Sequence, residues 1–264
     1  MRVLAIETAS PIASVALLDA GGVLASRAVR APMRHLEWVA GAIEGLLRDV
    51  AAGADSVEAV AVGRGPGGFT GLRIGIATAA AWGRARGVPV LGVGTLETLA
   101  CAAGSAGLVL PLLDAHRGEV AAALYRLGPR AADLDGGARP PASNASVPEP
   151  RCLVPPVVAA PEVVVAEMRT ALDAERAPQR PLVVAGDGLA RHGGALMAAL
   201  AAAGIPVVIE RPDAYPRAET AGLLARPRLL RGLRDDASGL LPIYGRRLAV
   251  RPWQETPTRP GSED

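Results

Sequence analysis

Two short stretches carry residue types that could handle a phosphate group. The longer is Gly63-Arg64-Gly65-Pro66-Gly67-Gly68-Phe69-Thr70-Gly71-Leu72-Arg73-Ile74-Gly75. Glycine tolerates positive φ and lets another backbone or a ligand approach closely. A glycine-rich turn from strand to helix aims N–H groups and a helix N-terminus at one point, which suits an anion. Gly65, Gly67 and Gly68 are the candidate cradle, and Thr70 is the expected N-cap of the helix that follows. The second stretch, Glu7-Thr8-Ala9-Ser10, brings an acid, the hydroxyls of Thr8 and Ser10 and backbone amides to a hairpin tip. The second also has a plain structural reading, a turn with ordinary Ser and Thr content.

Composition removes several chemistries. All basic residues are arginine; there is no lysine, hence no P-loop lysine, Schiff base or lysine general base. Cys101 and Cys152 are too few for a disulfide framework or a zinc site and read as buried or inert thiols in a reducing compartment. His35, His116 and His192 form no His-Glu-x-x-His motif, no Gly-x-Ser-x-Gly elbow occurs, and no metal site is expected. The net charge of +2 makes no case for nucleic acid. Arg226, Arg228, Arg231 and Arg234 would reach RNA directly only against the plainer reading of a solvated arginine-rich surface. The apolar start, Met1 to Ile6, is broken by Glu7 and is too short for a signal peptide. No apolar run is long enough to span a membrane, so the expected location is the cytoplasm.

The elements that must position these stretches follow from periodicity. Strands are expected over 2–8, 13–18 and 23–29, a helix over 32–50, a strand over 57–62 and a helix over 72–86. A strand over 88–93 and a short helix over 95–103 follow. The second half repeats the order: strands over 108–114, 119–126 and 151–160, the last broken by Pro155 and Pro156, then helix 161–175, strand 182–185, helix 189–203, strand 207–210 and helix 218–225. The fold class is therefore α/β, two lobes, each β-β-β-α-β-α-β-α. The expected divisions are an N-terminal lobe (1–104), a C-terminal lobe (105–212), a helical return (213–234) and a tail (235–264). Residues 128–150 read as a mobile loop and those from Trp253 as a disordered end.

Gly71, Gly75, Ala79 and Gly83 fall four apart, one stripe along the 72–86 helix. Such a stripe lets a second helix come very close, or lets the helix lie tight on its own sheet. Interior glycines cost about 1 kcal/mol each relative to alanine, so close packing must compensate.

The duplicated order is that of the actin-like, sugar kinase and Hsp70 ATPase (ASKHA) fold. The glycine loop, with Val3-Leu4-Ala5-Ile6-Glu7-Thr8 before it and Leu113-Asp114-Ala115-His116-Arg117-Gly118-Glu119-Val120 after it, resembles the TsaB (YeaZ) family. Leu241-Pro242-Ile243-Tyr244-Gly245-Arg246 resembles that family's C-terminal Pro-x-Tyr-x-Arg segment.

The resemblance implies a subunit of the machinery that makes N6-threonylcarbamoyladenosine (t6A) at adenosine 37 of tRNAs reading codons that begin with A. The expected partners are a TsaD-like catalytic subunit and a TsaE-like ATPase, with tRNA contacted through the complex and a homodimer formed when alone. Pairing is expected through N-terminal helices: His35, Leu36, Val39 and Ile43 on one, Gly71, Arg73, Gly75, Ala79 and Gly83 on the other. The catalytic paralogue's His-x-x-x-His pair is replaced by Thr95 and Leu99, so no catalysis is expected of the isolated chain. No cofactor is certain; ATP or ADP at the complex interface is the one the resemblance allows. In the first hairpin Glu7 supplies the acid that an active phosphotransferase of this fold needs, but Ala9 stands where such an enzyme has glycine. The fold's second phosphate turn falls at Asp114 to Gly118, where Asp114 would hold a metal-bound water or merely cap its own turn. Gly186-Asp187-Gly188 falls where an adenosine loop would lie. An ATP-dependent phosphotransferase using the inter-lobe cleft is the alternative.

Overall fold

The computed structural model describes residues 1–30, 35–104, 106–129, 147–175, 182–205 and 207–245. In the first lobe, β1 (Val3–Glu7), β2 (Ile12–Asp19) and β3 (Gly22–Arg30) form an antiparallel meander. Then come α1 (His35–Asp49), a 3-10 turn (Ala54–Ser56), β4 (Ala59–Gly63), α2 (Phe69–Arg86), β5 (Val90–Val93) and α3 (Thr95–Ala103). The sheet order is β3-β2-β1-β4-β5, with β4 parallel to β1 and β5 parallel to β4. Parallel neighbours need crossovers, supplied here by α1 and α2.

The second lobe repeats this plan. It contains β6 (Gly107–Asp114), β7 (Val120–Leu127), β8 (Arg151–Ala159), α4 (Pro161–Glu175), β9 (Leu182–Ala185), α5 (Gly188–Ala202), β10 (Val207–Arg211) and α6 (Ala218–Leu230). Its order, β10-β9-β6-β7-β8, matches the first sheet element for element. The duplicated, actin-like α/β architecture is therefore present.

Why the strands read as unbroken apolar runs is clear from β1, buried along its whole length. Side chains alternate across a strand, so Leu4 and Ile6 enter a core with α1 and α2, while Val3 and Ala5 enter another with α3 and α6. A third core joins β6, β7 and β9 to α4 and α5. The layers run α1/α2, first sheet, α3/α6, second sheet, α4/α5. The two middle helices are exchanged between lobes: α3 packs on β6 and β7, whereas α6 packs on β1, β2 and β4.

Several boundaries differ from the periodicity. Helix α2 begins at Phe69 with Gly68 as N-cap and no side-chain capping bond, so Thr70 is inside the first turn. Helix α6 continues through Pro227 to Leu230, because its buried face extends to Leu229. Pro155 and Pro156 do not break β8; it lies at the sheet's edge, and its register shifts between Val157 and Val154, around the two prolines. Edge strands tolerate proline because one side needs no ladder donors. Most of the expected mobile loop (130–146), Arg246 and the tail from Trp253 lie outside the described residues. No helix among the described residues is long and apolar enough to cross a membrane.

Candidate functional site

The three phosphate candidates do not form one open cradle. The glycine loop lies against the β1–β2 turn: Gly68 N–H donates to the Ala9 carbonyl at 2.7 Å. A Cβ on Gly67 would stand 2.4 Å from that same oxygen. Gly65, at φ +103, has its N–H on Thr95 Oγ at 3.0 Å. Thr8 is buried and donates its hydroxyl to the Gly71 carbonyl at 2.8 Å. Ser10 closes a local turn on Ile12, donating to its carbonyl at 2.9 Å and accepting from its N–H at 3.2 Å. The Thr8 and Ser10 hydroxyls and the Gly65 and Gly68 amides are thus spent on holding the hairpin, the loop and α3 together.

The residue at the centre of this junction is Glu7, which the sequence reading noticed only as an acid at a hairpin tip. Its carboxylate is fully buried. Oε1 accepts from Ala9 N–H at 2.8 Å, and Oε2 lies 3.5 Å from Thr95 Oγ. A Cβ on Gly63 would fall 2.1 Å from Oε2, so Gly63 makes the space the carboxylate occupies. Burial pushes the Glu7 carboxyl up to about 7, against the lowering effect of the Ala9, Thr8 and Thr95 hydrogen bonds. The signal was available in part: an acid inside the run Val3 to Ile6 must go where that strand goes.

Asp114 stands in the second lobe, at the end of β6. Its Oδ1 accepts from His116 N–H at 2.8 Å and faces His192 Nε2 at 3.1 Å; Arg191 Nε is 3.5 Å from Oδ2. Burial alone would raise this carboxyl, but the His116 and His192 hydrogen bonds outweigh it and leave it below the usual carboxylate range. Asp187 accepts the Asp114 N–H at 3.3 Å, and burial pushes its carboxyl up. Gly118 is exposed at φ +81 and serves the β6–β7 turn, with nothing within 4 Å of where its Cβ would stand. Gly186 packs on β6, its Cβ position 2.1 Å from the Leu112 carbonyl. His192 was missed because only the fold brings α5 to the end of β6. Among the described residues no three His, Cys, Asp or Glu side chains are grouped to hold a metal.

The small-residue stripe of α2 turns inward. Gly71, Gly75, Ala79 and Gly83 are buried against the lobe's own sheet. A Cβ on Gly75 would stand 2.4 Å from Thr8 Oγ1, and one on Gly83 would stand 2.4 Å from Val90 Cγ2. Of the two readings of the stripe, tight packing on its own sheet is the one observed. Val39 and Ile43 are likewise buried, at 1% and 3% exposure, holding α1 to the sheet. These six residues are not on an outer surface.

What faces outward is a different set. On α1 it is Leu36 (71% exposed), Ala40, Gly41 and Glu44; on α2 it is Phe69 (53% exposed), Arg73, Ala77 and Ala81. Of the expected pairing residues, Leu36 and Arg73 belong to this face, and the His35 side chain lies outside the described residues. Arg73 places its guanidinium 3.8 Å over the Phe69 ring, and Tyr244 stacks on that ring at 5.3 Å. The chain has one phenylalanine, and it is exposed here.

The arginines of the α6 region are not one surface. Arg228, 12% exposed, is held by Glu97 and by Glu149, with Nε 2.9 Å from Glu149 Oε1. Burial would lower its pKa, but these two carboxylates more than offset it. Arg226 Nε donates to the Met1 carbonyl at 3.2 Å. Arg231 and Arg234 are exposed.

Comparison with known proteins gives a consistent picture. Residues 2–138 match the family model for TsaD, tRNA N6-adenosine threonylcarbamoyltransferase. The tRNA threonylcarbamoyladenosine biosynthesis protein TsaB of Escherichia coli is 39% identical over 129 residues, 48% of this chain and 55% of that protein. The TsaB of Bacillus subtilis is 33% identical over 127 residues, 48% of this chain and 56% of that one. The match thus spans about half the length of these curated relatives. The solved structure of YeaZ from Pseudomonas aeruginosa superposes with a TM-score of 0.70 at 28% identity, covering 92% of this chain and 99% of that one.

Proposed function

The chain belongs to the TsaB (YeaZ) family, within the reach of the TsaD family model, and from that premise we propose that it is the non-catalytic partner of a TsaD-like subunit in t6A synthesis. In this reading the catalytic subunit adds threonylcarbamoyl to N6 of adenosine 37, a TsaE-like ATPase joins the pair in the cytoplasm, and tRNA is met through the complex. ATP or ADP, if used, sits at the interface between partners, and the same face self-pairs when the chain is alone.

The observation that carries the reading is the outer face of α1 and α2. Ala40, Gly41, Ala77 and Ala81 are exposed small residues, flanked by the exposed Leu36 and Phe69. Small residues let another helix pair approach closely, and large apolar or aromatic side chains beside them supply the anchors that dominate interface energies. The closed glycine loop supports the absence of chemistry, since Gly65 and Gly68 N–H groups already have partners.

The test is reconstitution of tRNA threonylcarbamoylation with the cognate TsaD- and TsaE-like proteins, with and without this chain. Modified adenosine should appear only when the chain is present, and the chain alone should hydrolyse no ATP. Ala77→Glu with Ala81→Glu should weaken pairing at least 100-fold, about 3 kcal/mol, while leaving the unfolding midpoint nearly unchanged. Equal product without the chain would overturn the reading. ATP hydrolysis by the isolated chain, lost in Asp114→Asn, would replace it with the phosphotransferase.

A further inference from the structure

After α6 the chain turns back across the first lobe. Asp235 forms an antiparallel bridge with Val90, donating its N–H to that carbonyl at 2.8 Å, and its Oδ2 accepts from Gly92 N–H at 2.7 Å. It also faces Arg64 at 3.7 Å. The free edge of β5 is covered in this way. Residues 236–239 are mostly exposed, and Leu240 is buried in the core beneath α1 and α2. Ile243 then meets the glycine loop: its N–H donates to the Arg64 carbonyl at 2.7 Å, and its own carbonyl lies 2.3 Å from where a Cβ on Gly65 would stand. Only glycine at 65 leaves room for it.

Tyr244 is fastened by the stack on Phe69, and Arg73 Nε lies 3.3 Å from its hydroxyl. A Cβ on Gly245 would stand 3.3 Å from Pro66 Cβ and 2.6 Å from Val158 Cγ2, on the edge strand of the second lobe. One short run therefore touches β5, the glycine loop, the first turn of α2 and β8. Its anchors are few. Asp235, Ala237, Leu240 and Ile243 hold it from below, Ala237 half-buried against the core beside Gly83, and the side chains that fasten its end are all at the surface. Segments with few buried contacts and exposed hydrogen bonds open at a small fraction of the global unfolding free energy.

We propose that residues 235–245 form a detachable clasp on the glycine loop. Fastened, it covers Gly65, ties the loop to the second lobe and adds Tyr244 to the outer face of α2. Released, it uncovers the loop and frees the first turn of α2. The proposal concerns the chain alone and does not depend on which partner α2 meets.

Amide hydrogen exchange on the full chain tests it, comparing the wild type with Tyr244→Ala, Ile243→Pro and Tyr244→Phe. Tyr244→Ala and Ile243→Pro should accelerate exchange at least tenfold in peptides covering 63–73 and 235–245 together. Strands β6 and β9 should keep wild-type rates, which shows that the variants are folded. Tyr244→Phe keeps the ring stack and should stay within threefold of the wild type. If 235–245 accelerates while 63–73 does not, the segment is a surface tail and the clasp is refuted. Unchanged exchange in both regions would refute it equally, because the fastening contacts would then carry nothing.

Discussion

Glu7 shows how one side chain can set a pH dependence without taking part in chemistry. Its carboxyl has an ordinary value of 4.5 and is pushed to about 7 by burial. The folded protein therefore binds more protons than the unfolded chain between those values. Stability is unaffected by this group below the lower value, falls as pH rises through the window, and levels off above the upper one. Glu7→Gln keeps the acceptor for Ala9 N–H and removes the ionisation. Urea unfolding at pH 5 and pH 8 should show the wild type losing about 2–3 kcal/mol more than the variant across that interval. An equal loss in both proteins would mean that Glu7 does not ionise as its burial implies. Asp114 obeys the opposite sign, since hydrogen bonds from His116 and His192 favour its charged form.

At the scale of the element, the helices divide their glycines between packing and surface. On α2, Gly75 is pressed against Thr8 and Val62, so any larger residue must push the helix off the sheet. Gly75→Ala should cost about 1–3 kcal/mol, the range for overpacking a filled interior. Gly75→Leu is for this reason a poor probe of pairing, because loss of the fold and loss of the interface would look alike. On α1, Gly41 has nothing within 4 Å of where its Cβ would stand and no positive φ. Gly41→Ala should therefore raise stability by about 0.5–1 kcal/mol, the usual gain in an exposed helix interior. Thermal unfolding of the two alanine variants should move in opposite directions; shifts of the same sign would contradict the assigned faces.

For the whole molecule, the exchange of α3 and α6 is the decisive feature. Each middle helix packs on the sheet of the other half, and one apolar core includes residues from both sheets. Gly222 is the tightest point of α6, with its Cβ position 2.2 Å from Leu18 Cδ1 and 3.1 Å from Ala5 Cβ. Gly222→Val should cost about 3 kcal/mol. Since the core is shared, the two lobes should still unfold together. Fluorescence of Trp38 and Trp82 in the first lobe, and exchange of β6 and β9 in the second, should report one urea midpoint in both proteins. Two separated midpoints would show lobes that unfold independently.

The sequence by itself determined the order of elements and the place of the glycine loop. Both depend on local periodicity and on residues, glycine above all, whose backbone preferences act within a few positions. It also determined what Thr8 and the loop glycines allow, which is close approach, though not what approaches. Only the tertiary structure decided that the approaching groups are Ala9, Thr95 and Ile243 of the same chain. It likewise decided that the Gly71–Gly83 stripe faces its own sheet, because a four-residue spacing specifies a helix face but not its direction. His192 beside Asp114, Arg228 between Glu97 and Glu149, and Tyr244 on Phe69 are contacts across 78, 131, 79 and 175 residues of chain. Such pairs leave no periodic trace: Arg228 meets Glu97 where α6 and α3 pack between the sheets, His192 meets Asp114 where α5 packs on β6, and Tyr244 meets Phe69 where the returning chain reaches the first turn of α2.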